Sequence, residues 1–576
     1  MMHRFLILLA LGACTRAPVD VRAQAPATAA APFPAGWQVP RPVRPVTARN
    51  AMVVSSHPIA SEVGAGILRA GGNAVDAAVA VGFALAVVHP VAGNLGGGGF
   101  MVIRMADGSV SSIDYRETAP GRATRDMYLD SAGNMTDKGV TGHLASGVPG
   151  SVAGMAEAAR RYGTLPLARL VAPAVTLARE GFVVDSARSR SFAGESRLRR
   201  FPASAAQFLP GGTAPAPGAT FRQPDLARTL QAIADSGPRV FYQGFIADLI
   251  VAEMARGGGI MAKGDLAAYQ PLWRDPITVT YRGHTIYSMP PASSGGVTMG
   301  ETLNILEGFS PLPAFGSPRH VHVVAEAMRR AFVDRNARLG DPAFVQNPIA
   351  RLLSKDYAAT LRAGINLERA TPTASLPAVD GNGEETTHYS VVDAMGNAVS
   401  VTTTINSGYG SAVTVAGAGF LLNNEMDDFT SAPGKPNIYG LVQGEANAIQ
   451  PGKRMLSAMT PSIVLDPAGR LLLVVGTPGG PTIITTVTQV ISNVLDHRMS
   501  LAEAVSAPRI HHQALPDVIR FERGGLSLGT VAAVQAMGHA IEARTGFSGD
   551  VNAIQRGPNG WVGVADPRSN GGAVGY

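Results

Sequence analysis

Two runs rich in β-branched residues, Thr386–Val392 and Ala398–Thr404, flank Asp393-Ala-Met-Gly-Asn397 and leave this stretch little choice but a hairpin. A three-residue loop ending in glycine, with aspartate before it, suits a type I turn followed by Gly396 in the left-handed region. That loop pairs Asp393 with Asn397. Every pair further back sums to the same total, so Thr386 falls opposite Thr404 at the open end of the hairpin. Directly opposed Cβ atoms sit about 4.5–5.5 Å apart, which brings two hydroxyls within hydrogen-bonding range. On pattern alone this is a cross-strand threonine pair of the kind sheets use structurally.

The hairpin follows an abrupt change of character. Ala370–Glu385 is polar and proline-bearing, has no hydrophobic stripe and should be exposed; the step into strands at Thr386 is the strongest internal boundary in the chain. Upstream, Ala60–Val88 is dominated by helix formers, with Gly71-Gly72 as a break between two helices. Gly93–Phe100 (GNLGGGGF) lacks the Gly-Lys-Ser/Thr ending of a phosphate loop and reads as a buried turn with close backbone packing. Val102–Arg116 predicts two strands around Asp107-Gly108, residues 150–270 read as mostly helical, and Pro290–Gly296 is a loop followed by helical stretches to about Ala363.

At 46% hydrophobic and 16% charged, 576 residues can bury a sizeable core, which excludes a disordered chain. The net charge of +6 comes from interspersed residues with no Lys/Arg block, so nucleic acid is not an expected partner. Met1–Arg4 followed by the apolar Phe5–Ala13 is a secretory signal, too short to span a bilayer. Two endings are compatible with it. Leu11-Gly12-Ala13-Cys14 resembles a bacterial lipobox, which would lipidate Cys14; Val21-Arg22-Ala23 offers cleavage before Gln24. Either ending predicts an exported, periplasmic protein, attached to a membrane only through an N-terminal lipid. Cys14 is the sole cysteine, so no internal disulfide can form. Residues 24–49 read as an Ala/Pro-rich tether after a 1–23 signal.

Thr386-Thr-His-Tyr-Ser-Val-Val-Asp393 resembles the start of the small subunit of the gamma-glutamyltransferases (gamma-glutamyl transpeptidase, glutathione hydrolase). Gly71–Arg104, Asp114–Pro120, Leu421–Phe429 (LLNNEMDDF), Pro478-Gly-Gly480 and Ala565-Asp-Pro-Arg568 match that family in order, so the resemblance covers the chain from about Asn50 to Tyr576. It implies an α+β fold, the N-terminal-nucleophile hydrolase four-layer αββα sandwich. The family is made as a precursor and cut into two subunits, here 50–385 (large) and 386–576 (small), which stay together as a heterodimer. The cut falls between Glu385 and Thr386 and gives Thr386 a free α-amine to activate its own hydroxyl.

The same resemblance assigns further roles. Thr404 would orient the Thr386 hydroxyl, and Gly479 and Gly480 would form an oxyanion hole. Arg116 would pair with the substrate α-carboxylate. Asn406, Glu425 and Asp428 match positions around its ammonium, and Tyr439 resembles a lid tyrosine. Ser457 matches the first of two adjacent serines that contact the carboxylate, but the second is Ala458 here, a departure that bears on substrate preference. The implied donors are glutathione and other γ-glutamyl amides. The acceptors are water, amino acids or peptides, and no cofactor is needed.

Two other functions stand beside this one: a β-lactam side-chain (cephalosporin) acylase using the same Thr386 in a reshaped pocket, and an unprocessed, non-catalytic, lipid-anchored binding protein for γ-glutamyl compounds, against which the joint presence of Thr386, Thr404, Gly479, Gly480, Arg116 and Asp428 argues. Two further motifs are set aside. Gly525-Leu-Ser-Leu-Gly529 fits a nucleophile elbow, but no acid lies between Ser527 and the only later histidine, His539. His320/His322 and His511/His512 are spaced to point apart within their own elements, so no metal site is expected.

Overall fold

A computed structural model describes residues 33–375, 386–432, 435–441 and 443–576. The 1–23 signal, Cys14 and Glu385 lie outside the described residues. The hairpin forms in the expected register: Thr387 faces Thr403 and Val392 faces Ala398. Asp393 N–H donates to Asn397 O at 3.1 Å, and Gly396 takes φ 90°, a conformation that glycine alone adopts freely. The Asp393 carboxylate accepts from the Met395 and Asn397 amides inside the turn. It also accepts from Ala74 N–H at 2.9 Å, tying the turn to the N-terminus of helix Ala74–Val88.

The hairpin sits in the middle of a seven-stranded sheet ordered Gly572–Gly575, Met52–Ser55, Thr387–Val392, Ala398–Thr404, Gly98–Arg104, Val110–Asp114 and Leu272–Arg274. A second seven-stranded sheet runs Val46–Ala48, Gly560–Ala565, Asn552–Gly557, Leu471–Val475, Ser462–Leu465, His284–Ser288 and Ile277–Tyr281. Both sheets draw strands from either side of residue 386. The sharp sequence boundary there is a boundary along the chain, not between spatial domains.

Alternation along the strands sends side chains to two cores. Tyr389, Val391, Val399 and Val401 join an apolar cluster with helix Ala74–Val88. Val392 and Ala398 join Phe100, Val102 and Met52 in a second cluster with Ile463, Val474 and Ile554 of the other sheet. Helix Gly295–Glu307 packs on the second sheet's Ile277–Tyr281 and His284–Ser288 strands, and helices Pro318–Arg338 and Thr482–Leu495 pack on that helix. Two antiparallel sheets with helices packed against them make this an α+β protein.

The glycine run does what its composition predicts. A Cβ on Gly97 would lie 2.0 Å from Thr404 O, and one on Gly99 would lie 2.5 Å from Thr402 O, so only glycine lets this strand press against the hairpin. Helices Pro58–Arg69 and Ala74–Val88 break at Gly71-Gly72, and Asn73 and Asp76 close a capping box on the second.

Two expectations need correction, and one stretch of strands was not read at all. The Pro290–Gly296 loop ends early, because helix Gly295–Glu307 begins inside it. Three strands between 272 and 288 went unread, being only three to five residues long. The tether is docked from Phe33 onward. Phe33 packs edge-on to Phe315, Trp37 Nε1 donates to Ser506 O at 3.0 Å, and Val46–Ala48 is an edge strand. Aromatic anchors outweigh the Ala/Pro composition. Among the described residues no helix is long and apolar enough to cross a membrane.

Candidate active site

Thr386 immediately precedes its strand and is 8% exposed. Its hydroxyl donates to Thr404 Oγ1 at 3.5 Å, at the long end of a hydrogen bond, and Thr404 Oγ1 accepts a second, tight bond of 2.7 Å from Asn406 N–H. Asn406 holds φ at 74°, where asparagine is among the few tolerated side chains, and its Nδ2 donates to Asn424 O. The Thr404 hydroxyl is therefore fixed by backbone before Thr386 reaches it.

Both threonines line one pocket with Asn406, Arg116, Glu425, Asp428, Ser457, Ala458, Tyr439 and Gly480. Gly479 lies just behind this wall, buried. Gly479 and Gly480 take φ of 132° and 52°, and a Cβ on Gly479 would meet Thr482 Oγ1 at 2.6 Å. They sit between strand Leu471–Val475 and helix Thr482–Leu495, where the helix N-terminus favours negative charge. A larger cavity of about 970 Å³, beside Glu157, Tyr242 and Tyr269, contains none of these residues.

Arg116 is buried and gripped from several sides. Its guanidinium pairs with Glu425 through Nη1 and with Asp428 through Nη2, while Nε donates to Met455 O at 3.2 Å and Glu117 lies 3.7 Å away. Burial opposes its charge, but Glu425, Asp428 and Glu117 together hold it above the ordinary arginine value. Asp114 receives only the Arg116 backbone amide; its carboxylate pairs instead with Arg274 and Arg454.

So many acids around one cation cannot all stay ionised cheaply. Burial pushes Glu117 up to about 7 and Asp427 up to about 8, and raises Glu425 and Asp428 against the pull of Arg116. Ser457 Oγ accepts from Met459 N–H at 3.1 Å, and its carbonyl accepts from the Ser294 amide and hydroxyl. Ala458 presents a methyl group to the pocket where a hydroxyl would have been expected, and Tyr439 is buried against it.

A threonine pair thus shares one pocket with an arginine–carboxylate cluster. The profile described as Gamma-glutamyltranspeptidase matches residues 60–576. This chain belongs to the gamma-glutamyltranspeptidase family. Glutathione hydrolase proenzyme of Escherichia coli (strain K12) is 47% identical over 533 residues, 91% of each chain. Acylase ACY 1 proenzyme of Pseudomonas sp. (strain V22) is 42% identical over 539 residues, 92% of this chain and 94% of the other. Among solved structures, a cephalosporin acylase from Bacillus halodurans superposes with a TM-score of 0.83 at 30% identity, over 94% of this chain and 98% of that one.

For this gamma-glutamyltranspeptidase family member the sequence reading missed some pocket residues. Arg335, Leu441, Leu456 and Ile483 also line the pocket. Arg335 stands in helix Pro318–Arg338 among several other arginines, with nothing local to single it out. The nucleophile-elbow pattern resolves as a helix cap, since Ser527 Oγ accepts from Thr530 N–H at 3.0 Å.

The histidines meet across elements rather than along them. His322 meets not its sequence neighbours but His539 and Glu326, with ligand atoms within 4.8 Å. Hydrogen bonds account for all these ring nitrogens. His322 Nε2 faces Asn366 O at 2.8 Å, His539 Nε2 faces His322 Nδ1 at 2.7 Å, and Arg329 donates to His539 Nδ1 at 3.2 Å. Glu326 is paired with Arg329 and Arg330.

Proposed function

We propose that this protein is a γ-glutamyl hydrolase and transferase that cuts itself between Glu385 and Thr386 and then works through an ester on Thr386. The observation that carries the reading is the Thr386–Thr404 hydroxyl pair lining the same pocket as Arg116 and its carboxylates. In the precursor the Thr386 hydroxyl attacks the Glu385 carbonyl, the acyl group moves from nitrogen to oxygen, and water releases the large subunit, 50–385, from the small, 386–576. The two remain a heterodimer in a four-layer αββα sandwich, a reading supported by two sheets that share one apolar cluster and have helices packed against them. The named relative from Escherichia coli is a proenzyme, as this reading requires.

The freed α-amine, with an unperturbed pKa of about 7.7–8.0, takes the hydroxyl proton as Oγ1 attacks the γ-carbonyl of glutathione or another γ-glutamyl amide. Thr404 orients the attacking oxygen. The backbone N–H groups of Gly479 and Gly480 meet the developing oxyanion, each worth about 2.7–4 kcal/mol. The proton passes to the departing amine, and water or an amino-acid or peptide amine then takes the acyl group from the ester.

The donor's ammonium displaces the Arg116 guanidinium at Asp428, with Glu425 and Asn406 nearby, and its carboxylate takes over the freed side of Arg116, next to Ser457. Tyr439 covers the pocket. The chemistry draws on no cofactor. Export to the periplasm, by a signal in residues 1–23 with or without a lipid on Cys14, completes the proposal. A second reading, cephalosporin-type acylase, is favoured by Ala458 and by the similarity to Acylase ACY 1 proenzyme, and uses the same nucleophile.

Intact mass of the purified protein tests the core of the reading. A small fragment beginning at Thr386 is expected; an uncut chain, or a new N-terminus elsewhere, refutes it. Turnover of a γ-glutamyl anilide against a glutaryl β-lactam amide separates the two donor classes.

A further inference from the structure

Two arginines line the pocket, and they are in opposite situations. Arg116 is saturated by Glu425 and Asp428, with Glu117 close behind. Arg335 is just as buried, 1% exposed, yet among the described residues no carboxylate pairs with it. Its Nε donates to Ser294 Oγ at 2.8 Å, and its Nη1 donates to Asn336 Oδ1 at 2.9 Å and Gln443 Oε1 at 3.3 Å. Its Nη2 is buried without a hydrogen-bond partner among the described residues. Burial pulls the guanidinium down to about 10, with Asp428 the only acid opposing that shift, so it keeps its charge at neutral pH.

A buried cation with an unused donor is costly, and such a group is retained where an anion arrives to meet it. The second observation is how it is mounted. Ser294 accepts from Arg335 while donating both its amide and its hydroxyl to Ser457 O, so the guanidinium is braced against the wall that carries Ser457 and Ala458. Ala458 has no hydroxyl to offer an anion, and Arg116 must first be parted from its carboxylates. Arg335 Nη2 is a pocket donor left uncommitted among the described residues.

We propose that Arg335 is a specificity-determining residue of this pocket, and that its free Nη2 takes the α-carboxylate of the γ-glutamyl donor together with Arg116. The inference rests on the γ-glutamyl reading above and deepens it. A hydrogen bond to a charged group is worth about 10- to 100-fold in binding, and it is lost only for donors that carry the carboxylate.

The test compares γ-glutamyl-p-nitroanilide with 4-aminobutanoyl-p-nitroanilide, the same donor without its α-carboxylate, in wild type, Arg335→Met and Arg335→Lys. Expected in Arg335→Met is a fall of about 10- to 100-fold in the ratio of kcat/KM between the two donors, carried by KM. Arg335→Lys should recover part of it, since lysine keeps the charge but not the planar fork. An unchanged ratio overturns the proposal, whether both donors are lost together or neither is, because a purely structural arginine would act on both alike. Should Arg335→Met fail to fold or to self-cleave, the ratio in Arg335→Lys decides by the same criterion. A wild type that turns over neither donor sinks the γ-glutamyl reading itself and is told apart from these results.

Discussion

The hairpin that carries Thr386 and the wall that carries Arg116 are built by opposite means. The hairpin is local: eighteen residues separate Thr386 from Thr404, the turn chemistry fixes the register, and the register fixes the pair. The wall is assembled from far apart in the chain. Arg116, Arg335, Glu425, Asp428 and Ser457 come from the end of a strand, a long helix, a short 3-10 turn and a loop. The difference separates kinds of chemistry as well as kinds of folding. A nucleophile needs one neighbour at hydrogen-bond distance, which a ladder supplies. Recognition of a zwitterion needs both signs of charge held apart in a dry pocket, and only converging elements can hold them there.

The sharpest break comes from the hairpin itself. Thr386→Ala should abolish self-cleavage and lower turnover by about 10⁴-fold or more, read as a single uncut band and a progress curve. A cut, active Thr386→Ala protein would end the comparison. Arg116→Met attacks the wall. It strands Glu425 and Asp428 without their cation, so a loss of about 3–5 kcal/mol is expected, seen in melting temperature and in kcat/KM together. Loss of activity with unchanged stability would mean that the acids find other partners.

A pH experiment probes what lies under the hairpin. His388 is fully buried between Thr402 Oγ1 and Ser390 Oγ, and burial lowers it to about 3. Between pH 6.5 and 3 the unfolded chain binds a proton there that the folded chain refuses, so this residue's contribution is whole above pH 6.5 and falls as pH drops. By pH 4.5 the loss is roughly 2–3 kcal/mol. The raised acids Glu117 and Asp427 act in the opposite direction over the same range, so the quantity to read is a difference. Urea unfolding at pH 7.5 and 4.5 in the uncut Thr386→Ala background should lose less stability on acidification once His388→Gln is added. Equal losses would exclude His388 as a source.

Thr404→Ala should slow both self-cleavage and turnover about tenfold, because it removes one hydroxyl and leaves Asn406 N–H without its acceptor. Normal rates would disprove the orienting role. The smallest effect belongs to Ala458→Ser, which should lower KM for γ-glutamyl donors by about two- to tenfold with kcat nearly unchanged. No shift would mean that the missing hydroxyl is not felt in the pocket.

Legibility in the sequence followed the same division. The glycine run, the break at Gly71-Gly72 and the hairpin register were readable because each is decided within a few residues, by steric room or turn geometry. The family resemblance supplied Arg116 and Asp428, which pattern alone would have left as a local ion pair and a solvated turn charge. It did not supply Arg335, and it could not show that the tether docks through Phe33 and Trp37. The histidines show the limit most plainly. Spacing correctly separates His320 from His322, but says nothing of His539 arriving from 217 residues away to meet His322.

By itself, then, the sequence determined that Thr386 and Thr404 face each other, because a period of two and a three-residue turn admit no other register. The tertiary structure decided what surrounds them. It placed the hairpin at the centre of a sheet, brought a saturated and an unsaturated arginine to the same pocket, and set the burial and charge balance that pushes Glu117 and Asp427 above the usual carboxylate range. Those outcomes depend on burial and on long-range convergence, where the cost of removing a charge from water is set by whichever distant side chains share the space.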